Sequence, residues 1–147
     1  DALAQLAEQG VLTANPDALE ALPGAALAGG MKTVTFDDSD PIATALSQGK
    51  TVFVDYTTDW CSTCAAQNRV INALRSADPA YDANIVFVRV DYDQFGNAPV
   101  TTGRNIPRRS TLIVLKGEQE LGRIVAGTSK ADIKALMDTA LSAATAS

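Results

Sequence analysis

Hydrophobic and polar positions follow two rhythms along this chain, and the switches between them mark its elements. Residues 51–56, Thr-Val-Phe-Val-Asp-Tyr, are β-branched and aromatic, the composition of a buried central strand. Residues 85–90 and 111–116 read as further buried strands. Residues 32–36 form a shorter strand candidate, and 120–126 the hairpin partner of 111–116 across a turn at Gly117. A helical rhythm fills the intervals. Residues 40–48 carry Asp40 as cap, Pro41 at the first helical position and Gly49 as terminator. From Cys61 to about Arg75, Val70, Ile71 and Leu74 form a core stripe. Residues 97–104 suggest a short helix with Pro99 near its start, and 76–82 a loop around Pro79. Ser129 caps a last helix whose Ile133, Leu136, Met137, Ala140 and Leu141 fall on one face. The Ala/Thr/Ser tail, 143–147, is expected to fray. Strands interleaved with helices predict an α/β fold, a sheet with helices on both faces.

The first thirty residues break this pattern. Ala, Leu and Gly dominate, aromatics are absent, and Pro16, Pro23, Gly24, Gly29 and Gly30 punctuate the segment. Leu3, Leu6 and Ala7 make one short amphipathic set, and 16–22 a second short helix with Asn15 as cap and Pro16 at its first position. With Gly29-Gly30 as a hinge, the expected organisation is a partly helical extension over 1–30 and one domain over 31–147.

Composition narrows the function. At 147 residues, 46% hydrophobic and 20% charged, the chain suits one globular domain with a core. Its net charge of −5 lacks the basic footprint of a nucleic-acid binder, although Arg104, Arg108 and Arg109 cluster locally. No apolar run reaches the roughly eighteen residues of a membrane span, and no signal peptide is visible. The opening at Asp1 without methionine is that expected of a processed mature or trimmed protein. With no histidine, imidazole acid–base chemistry is excluded, and two cysteines alone make a zinc site improbable. No metal and no cofactor are expected.

The only two cysteines stand in Cys61-Ser62-Thr63-Cys64, directly after Trp60 and the 51–56 strand. Two thiols at this spacing can close a small disulfide at the start of a helix, which suits a couple that opens and closes in each turnover. Cys61, at the helix N-terminus, meets unpaired backbone N–H groups and the helix dipole, both of which favour a thiolate. It is the expected nucleophile, and Cys64, one turn further, the more buried resolving thiol. A static bridge is the plainer alternative, but so short a loop would constrain the unfolded chain little. Ser62 and Thr63 add hydroxyls and no fixed charge between the thiols, or simply start the helix. Trp60 is expected to flank the dithiol, unless it is a plain core residue.

The order strand, Trp-Cys-x-x-Cys, helix, strand, short helix, hairpin, helix resembles the thioredoxin family. The matching words are Val52-Phe53-Val54-Asp55-Tyr56, Asp59-Trp60-Cys61-Ser62-Thr63-Cys64, Phe87-Val88-Arg89-Val90-Asp91 and Ser110-Thr111-Leu112-Ile113-Val114-Leu115-Lys116-Gly117, spread over 31–141. Asp59-Trp60-Cys-x-x-Cys is similar to the thioredoxin-like domains of the bacterial cell envelope, including the C-terminal domain of the membrane thiol–disulfide interchange protein. The resemblance implies a thioredoxin fold, a central mixed sheet of about five strands flanked by helices. It also implies dithiol–disulfide exchange with protein partners.

Further roles rest on that resemblance. Asp55 matches the buried acid beneath Cys64, able to pass a proton to or from the resolving thiol, or else is a strand-end residue bonded to backbone. Arg89 falls where the family carries a lysine near that acid; as an arginine it can only hold the acid ionised or stay solvated. Family members carry a cis-proline just before the strand that starts at Thr111, and here Ser110 takes that position. A non-proline cis bond costs about 2.5–4 kcal/mol, so a trans Arg109–Ser110 bond is expected, the alternative being a bulge that brings Pro107 to the site. Ser110 and Thr111 are expected to form the partner-facing loop. Arg108 and Arg109 beside them select acidic partners or are merely solvated, and Ala126-Gly127 completes the groove or only turns the chain. The expected function is a monomeric disulfide oxidoreductase, in the reducing direction, acting on protein disulfides or dithiols. In the bacterial periplasm or envelope its donor would be a membrane electron transporter; the cytoplasm is the alternative. The rival functions are a thioredoxin-fold binding module that docks through the Ser110 loop, and metal or iron–sulfur ligation by the two thiolates.

Overall fold

The computed structural model describes residues 32–146. The expectations for residues 1–30, including the domain boundary, lie outside them. Five strands, β1 (Thr33–Thr35), β2 (Thr51–Thr57), β3 (Ile85–Asp91), β4 (Thr111–Lys116) and β5 (Gln119–Val125), form one sheet in the order β1-β3-β2-β4-β5. β1, β3 and β2 run parallel, whereas β4 is antiparallel to β2 and β5 to β4. The helices are α1 (Pro41–Ser47), α2 (Ser62–Ala77), α3 (Ala80–Asn84), α4 (Tyr92–Phe95), α5 (Pro99–Thr102) and α6 (Lys130–Thr145).

All seven residues of β2 are buried, as expected of a central strand covered on both faces. The period of two then sorts its side chains. Val52, Val54 and Tyr56 join Phe36, Ile42, Val88 and Phe95 in one core cluster. Phe53 joins Ile71, Leu74, Ile133 and Met137 in the cluster under α2 and α6. Each such apolar side chain, taken fully out of water, contributes about 1.5–3 kcal/mol. Asp55 shares the Phe53 face, so the same alternation that builds the core turns a carboxylate towards the helix that carries the cysteines.

The caps follow the sequence. Asp40 accepts from the Ala43 N–H at 3.0 Å, and Ser129 from the Asp132 N–H at 3.3 Å. Two expectations need correction, and one helix adds to them. The 76–82 segment is not simply a loop: α2 runs to Ala77, and Asp78 accepts from the Ala80 N–H at 2.9 Å to start α3, which buries Tyr81. The short helix expected within 97–104 is α5, which the Thr101 hydroxyl ties back to the Phe95 carbonyl; ahead of it lies α4, a helix the sequence pattern does not predict, capped by Asp91 through the Asp93 N–H. The tail does not unravel at 143: α6 continues to Thr145, whose hydroxyl donates to the Leu141 carbonyl at 2.9 Å, while the Lys116 ammonium donates to the Ala143 carbonyl.

Candidate active site

Strand β2 ends beside α2, and the turn between them, Thr58-Asp59-Trp60, places Cys61 as the N-cap residue of the helix. Its sulfur accepts from the Cys64 N–H at 3.1 Å, so the thiol does what a serine or aspartate oxygen does at an ordinary helix start. Both cysteines are free thiols, Cys61 5% and Cys64 1% exposed. Ser62 is exposed and Thr63 half-buried. Burial opposes ionisation of Cys61, yet hydrogen bonds from Cys64, Ser110 and Arg109 outweigh it and bring the pKa down from 9.0 to about 7.

Ser110 and Thr111, expected to face a partner, are both completely buried. The Ser110 hydroxyl lies 3.2 Å from the Cys61 sulfur and 3.0 Å from the Cys64 sulfur. The Thr111 hydroxyl donates to the Arg108 carbonyl at 2.7 Å. Their side chains are therefore turned to the sulfurs and to local backbone. No peptide bond among the described residues is cis, so Arg109–Ser110 is trans. Ser110 instead meets the loop's geometric demand with a left-handed φ of 64°. Pro107 is exposed and does not fill the slot.

Gln67 is a residue that sequence reasoning missed. Fully buried on α2, it donates to the Ser110 carbonyl at 3.0 Å and to the Gly127 carbonyl at 2.8 Å. One side chain thus ties the Ser110 loop to the Ala126-Gly127 loop. A signal was present: Gln67 lies three residues after Cys64, on the same helix face.

Trp60 is 61% exposed, so it is not a core tryptophan. Its ring carries the Arg109 guanidinium at 4.2 Å from the centroid, and its indole N–H donates to Asp93 at 2.7 Å. The aromatic plate beside Cys61 is thus clamped between a cation and a carboxylate. Arg108 turns its Nε to the Arg109 carbonyl at 2.9 Å.

Asp55 is 8% exposed, and its Oδ1 has no hydrogen-bond partner among the described residues. Desolvation raises its pKa from 3.8 to about 7, against the opposing influence of Arg89 and the Asn68 amide. A cavity of about 220 Å³ reaches the carboxylate, lined also by Asn68, Asn72, Arg75 and Arg89. At about 30 Å³ per water, it has room for several. Asn68 itself donates to the Cys64 carbonyl at 2.8 Å. For metal, the chain offers two thiols and no imidazole. Among the described residues no group of three or more His, Cys, Asp or Glu could hold an ion.

A β1-β3-β2-β4-β5 sheet with two adjacent thiols at the head of its long helix is the architecture of a dithiol–disulfide protein. The chain belongs to the thioredoxin-like family, whose sequence model matches residues 37–112. No curated protein matches the sequence. Among solved structures, Trxlp from Edwardsiella tarda EIB202 is 28% identical at a TM-score of 0.61, over 71% of this chain and 98% of that one. A point mutant of the thioredoxin from Halobacterium salinarum NRC-1 is 18% identical at 0.59, over 79% and 94%. Thioredoxin NaTrxh of Nicotiana alata is 24% identical at 0.56, over 70% and 87%. Fold, family and paired thiols together support a thiol–disulfide oxidoreductase.

Proposed function

We propose that the protein reduces disulfides in partner proteins and is recharged by a second redox protein. The observation that carries this reading is Cys61, a helix-cap thiol with a pKa of about 7. Its thiolate is present at neutral pH, but is stabilised far less than in strong oxidants, whose reduced form is so favoured that they give up their disulfide readily. The Cys61 thiolate attacks the partner disulfide, one partner sulfur leaves as thiolate, and a mixed disulfide joins Cys61 to the other. Cys64 loses its proton, attacks the Cys61 sulfur and expels the second partner thiolate. Asp55 is half ionised near neutrality and reached by its own cavity, which fits it to take up the Cys64 proton through water. The exposed Trp60 plate and Arg109 frame the approach to Cys61.

The Asp59-Trp60-Cys61 resemblance supports placing this chemistry in the bacterial envelope, with a membrane electron transporter as donor. Equilibration in defined thiol/disulfide buffers, followed by Trp60 fluorescence, tests the direction. A potential near that of thioredoxin, about −270 mV, is expected; one near about −120 mV reverses the direction. Cysteine-selective alkylation of intact cells and spheroplasts tests the compartment, and labelling confined to the cytoplasm would sink the envelope assignment.

A further inference from the structure

Ser110 occupies a costly conformation. A non-glycine residue at φ 64° is uncommon and persists only where its surroundings over-determine it. Here they do: its N–H donates to the Tyr56 carbonyl at 2.7 Å, and its carbonyl accepts from the Ala126 N–H at 2.8 Å and from Gln67 at 3.0 Å. Glycine would make the same backbone bonds without the penalty. What the serine adds is its hydroxyl, and that hydroxyl is fully buried against the two reacting sulfurs, nearly equidistant from them.

Resting on the dithiol–disulfide reading above, we propose that the Ser110 hydroxyl is a hydrogen-bond donor shared by the two sulfurs, following the negative charge from Cys61 to Cys64 during turnover. A hydroxyl has one proton to donate and lone pairs to accept. In the dithiol, Oγ–H donates to the Cys61 thiolate, and the Cys64 S–H is shared between Oγ and the Cys61 sulfur. Attack on the partner disulfide makes Cys61 a neutral, covalent sulfur and ends the demand there. The hydroxyl then rotates and donates to Cys64 as that thiol loses its proton to Asp55 or water. Closure of the Cys61–Cys64 bond breaks the bond between Cys61 and the partner sulfur, whose thiolate leaves with the electron pair. The partner disulfide is the only oxidant required, and Ser110 gains and loses no proton overall. The other groups acting on Cys61 are Cys64 on α2, Asp55 on β2 and the Arg109 guanidinium beside Ser110, none of which the test alters.

The test is stopped-flow reduction of an aromatic disulfide that releases a coloured thiolate, followed across pH for the full chain and its Ser110→Ala variant. The first colour phase reports attack by Cys61, the second resolution by Cys64. Loss of a hydrogen bond to a charged sulfur raises the midpoint of the first phase by about one pH unit or more. A less acidic thiolate is also a better nucleophile. The variant is therefore about threefold slower than the parent at pH 6 and about threefold faster well above both midpoints. By the same balance of acidity and nucleophilicity, the second phase is slowed about threefold at pH 6. The Ser110→Gly variant, free of backbone strain, is expected to behave like alanine. Restoration of parent kinetics by glycine would assign the effect to strain and overturn the proposal. An unmoved first midpoint overturns it as well. A moved midpoint with an unchanged second phase shows that the hydroxyl serves Cys61 alone, which also overturns it. A parent protein with no second phase would fail at the earlier step, the dithiol–disulfide reading itself.

Discussion

Asp55 and Arg89 stand directly opposite each other in the parallel β2–β3 register, yet the guanidinium of Arg89 reaches Asp59, 2.6 Å away, instead of the buried carboxylate. Asp59 is almost entirely exposed, so this ion pair lies at the surface and adds little to stability. It does hold a positive charge at a distance from Asp55 that tempers the effect of burial without cancelling it. An acid that can exchange its proton near neutrality is the result.

The raised pKa of Asp55 makes stability depend on pH in a defined direction. Between about pH 4 and 7 the unfolded chain has lost this proton while the folded one keeps it, so Asp55 lowers stability as pH rises through that window. The full effect is about 4 kcal/mol at most. Asp55→Asn is expected to be more stable than the parent at pH 8 and nearly equal to it at pH 4, measured by urea denaturation. Equal stabilities at pH 8 would refute the burial argument. The same variant should resolve mixed disulfides more slowly.

Cys61 acts in the opposite sense. Its folded pKa, about 7, is depressed from 9.0, so it adds stability to the reduced protein above pH 9, and this contribution is lost as pH falls through 7. Ultraviolet thiolate absorbance in Cys64→Ser should therefore titrate well below an ordinary thiol. The midpoint should rise somewhat above 7, because the Cys64 side chain is one of the groups that lower it. A midpoint at 9 would remove the basis for Cys61 as nucleophile.

Arg109 contributes to that depression and also covers the indole of Trp60. Arg109→Ala should raise the Cys61 midpoint by about one pH unit or less. It should also change Trp60 emission in the native protein. Arg109→Lys should restore the first property better than the second, since an ammonium supplies charge but does not stack as a plane. Identical Trp60 emission in all three proteins would contradict the contact.

Gln67 offers a sharper contrast. Gln67→Leu removes two donors to loop carbonyls and should cost about 1–3 kcal/mol. Gln67→Glu should be worse at pH 8, because a buried carboxylate would face two acceptor oxygens with no proton to offer. Thermal melts of the two variants decide it; a glutamate variant as stable as the leucine one would show that this amide does not tie the loops.

Most of the sheet was legible because β2, β3 and β4 announce themselves as β-branched runs, and β4 was placed at its observed ends. The caps at Asp40 and Ser129 were equally plain, since side-chain capping is local chemistry. The short helices α3 and α4 were not legible. Each is about one turn long, too short for a periodic apolar stripe, and depends on local aspartate hydrogen bonds and the burial of Tyr81 or Phe95. The cysteine pair and Asp55 could be named from spacing and resemblance. The inward rotation of Ser110 could not, because a left-handed φ at a serine is imposed by three hydrogen bonds on its backbone, two from the backbone of β2 and the Ala126 loop and one from the Gln67 side chain of α2, all distant in sequence.

That rotation also constrains how the loop can be engineered. Proline fixes φ near −65° and has no N–H, whereas this position sits at 64° and donates to Tyr56. Reaching the family's usual loop from this one means swinging the backbone by roughly 130° and releasing the Tyr56 carbonyl. Ser110→Pro would demand both at once, in a loop whose bonds from Gln67 and Ala126 to the carbonyl of residue 110 hold the present geometry. Because Ala126 and Gln67 bond the same carbonyl, and Gln67 also bonds that of Gly127, a designer who moves from one loop type to the other has the Ser110 and Ala126 loops to rebuild as one unit.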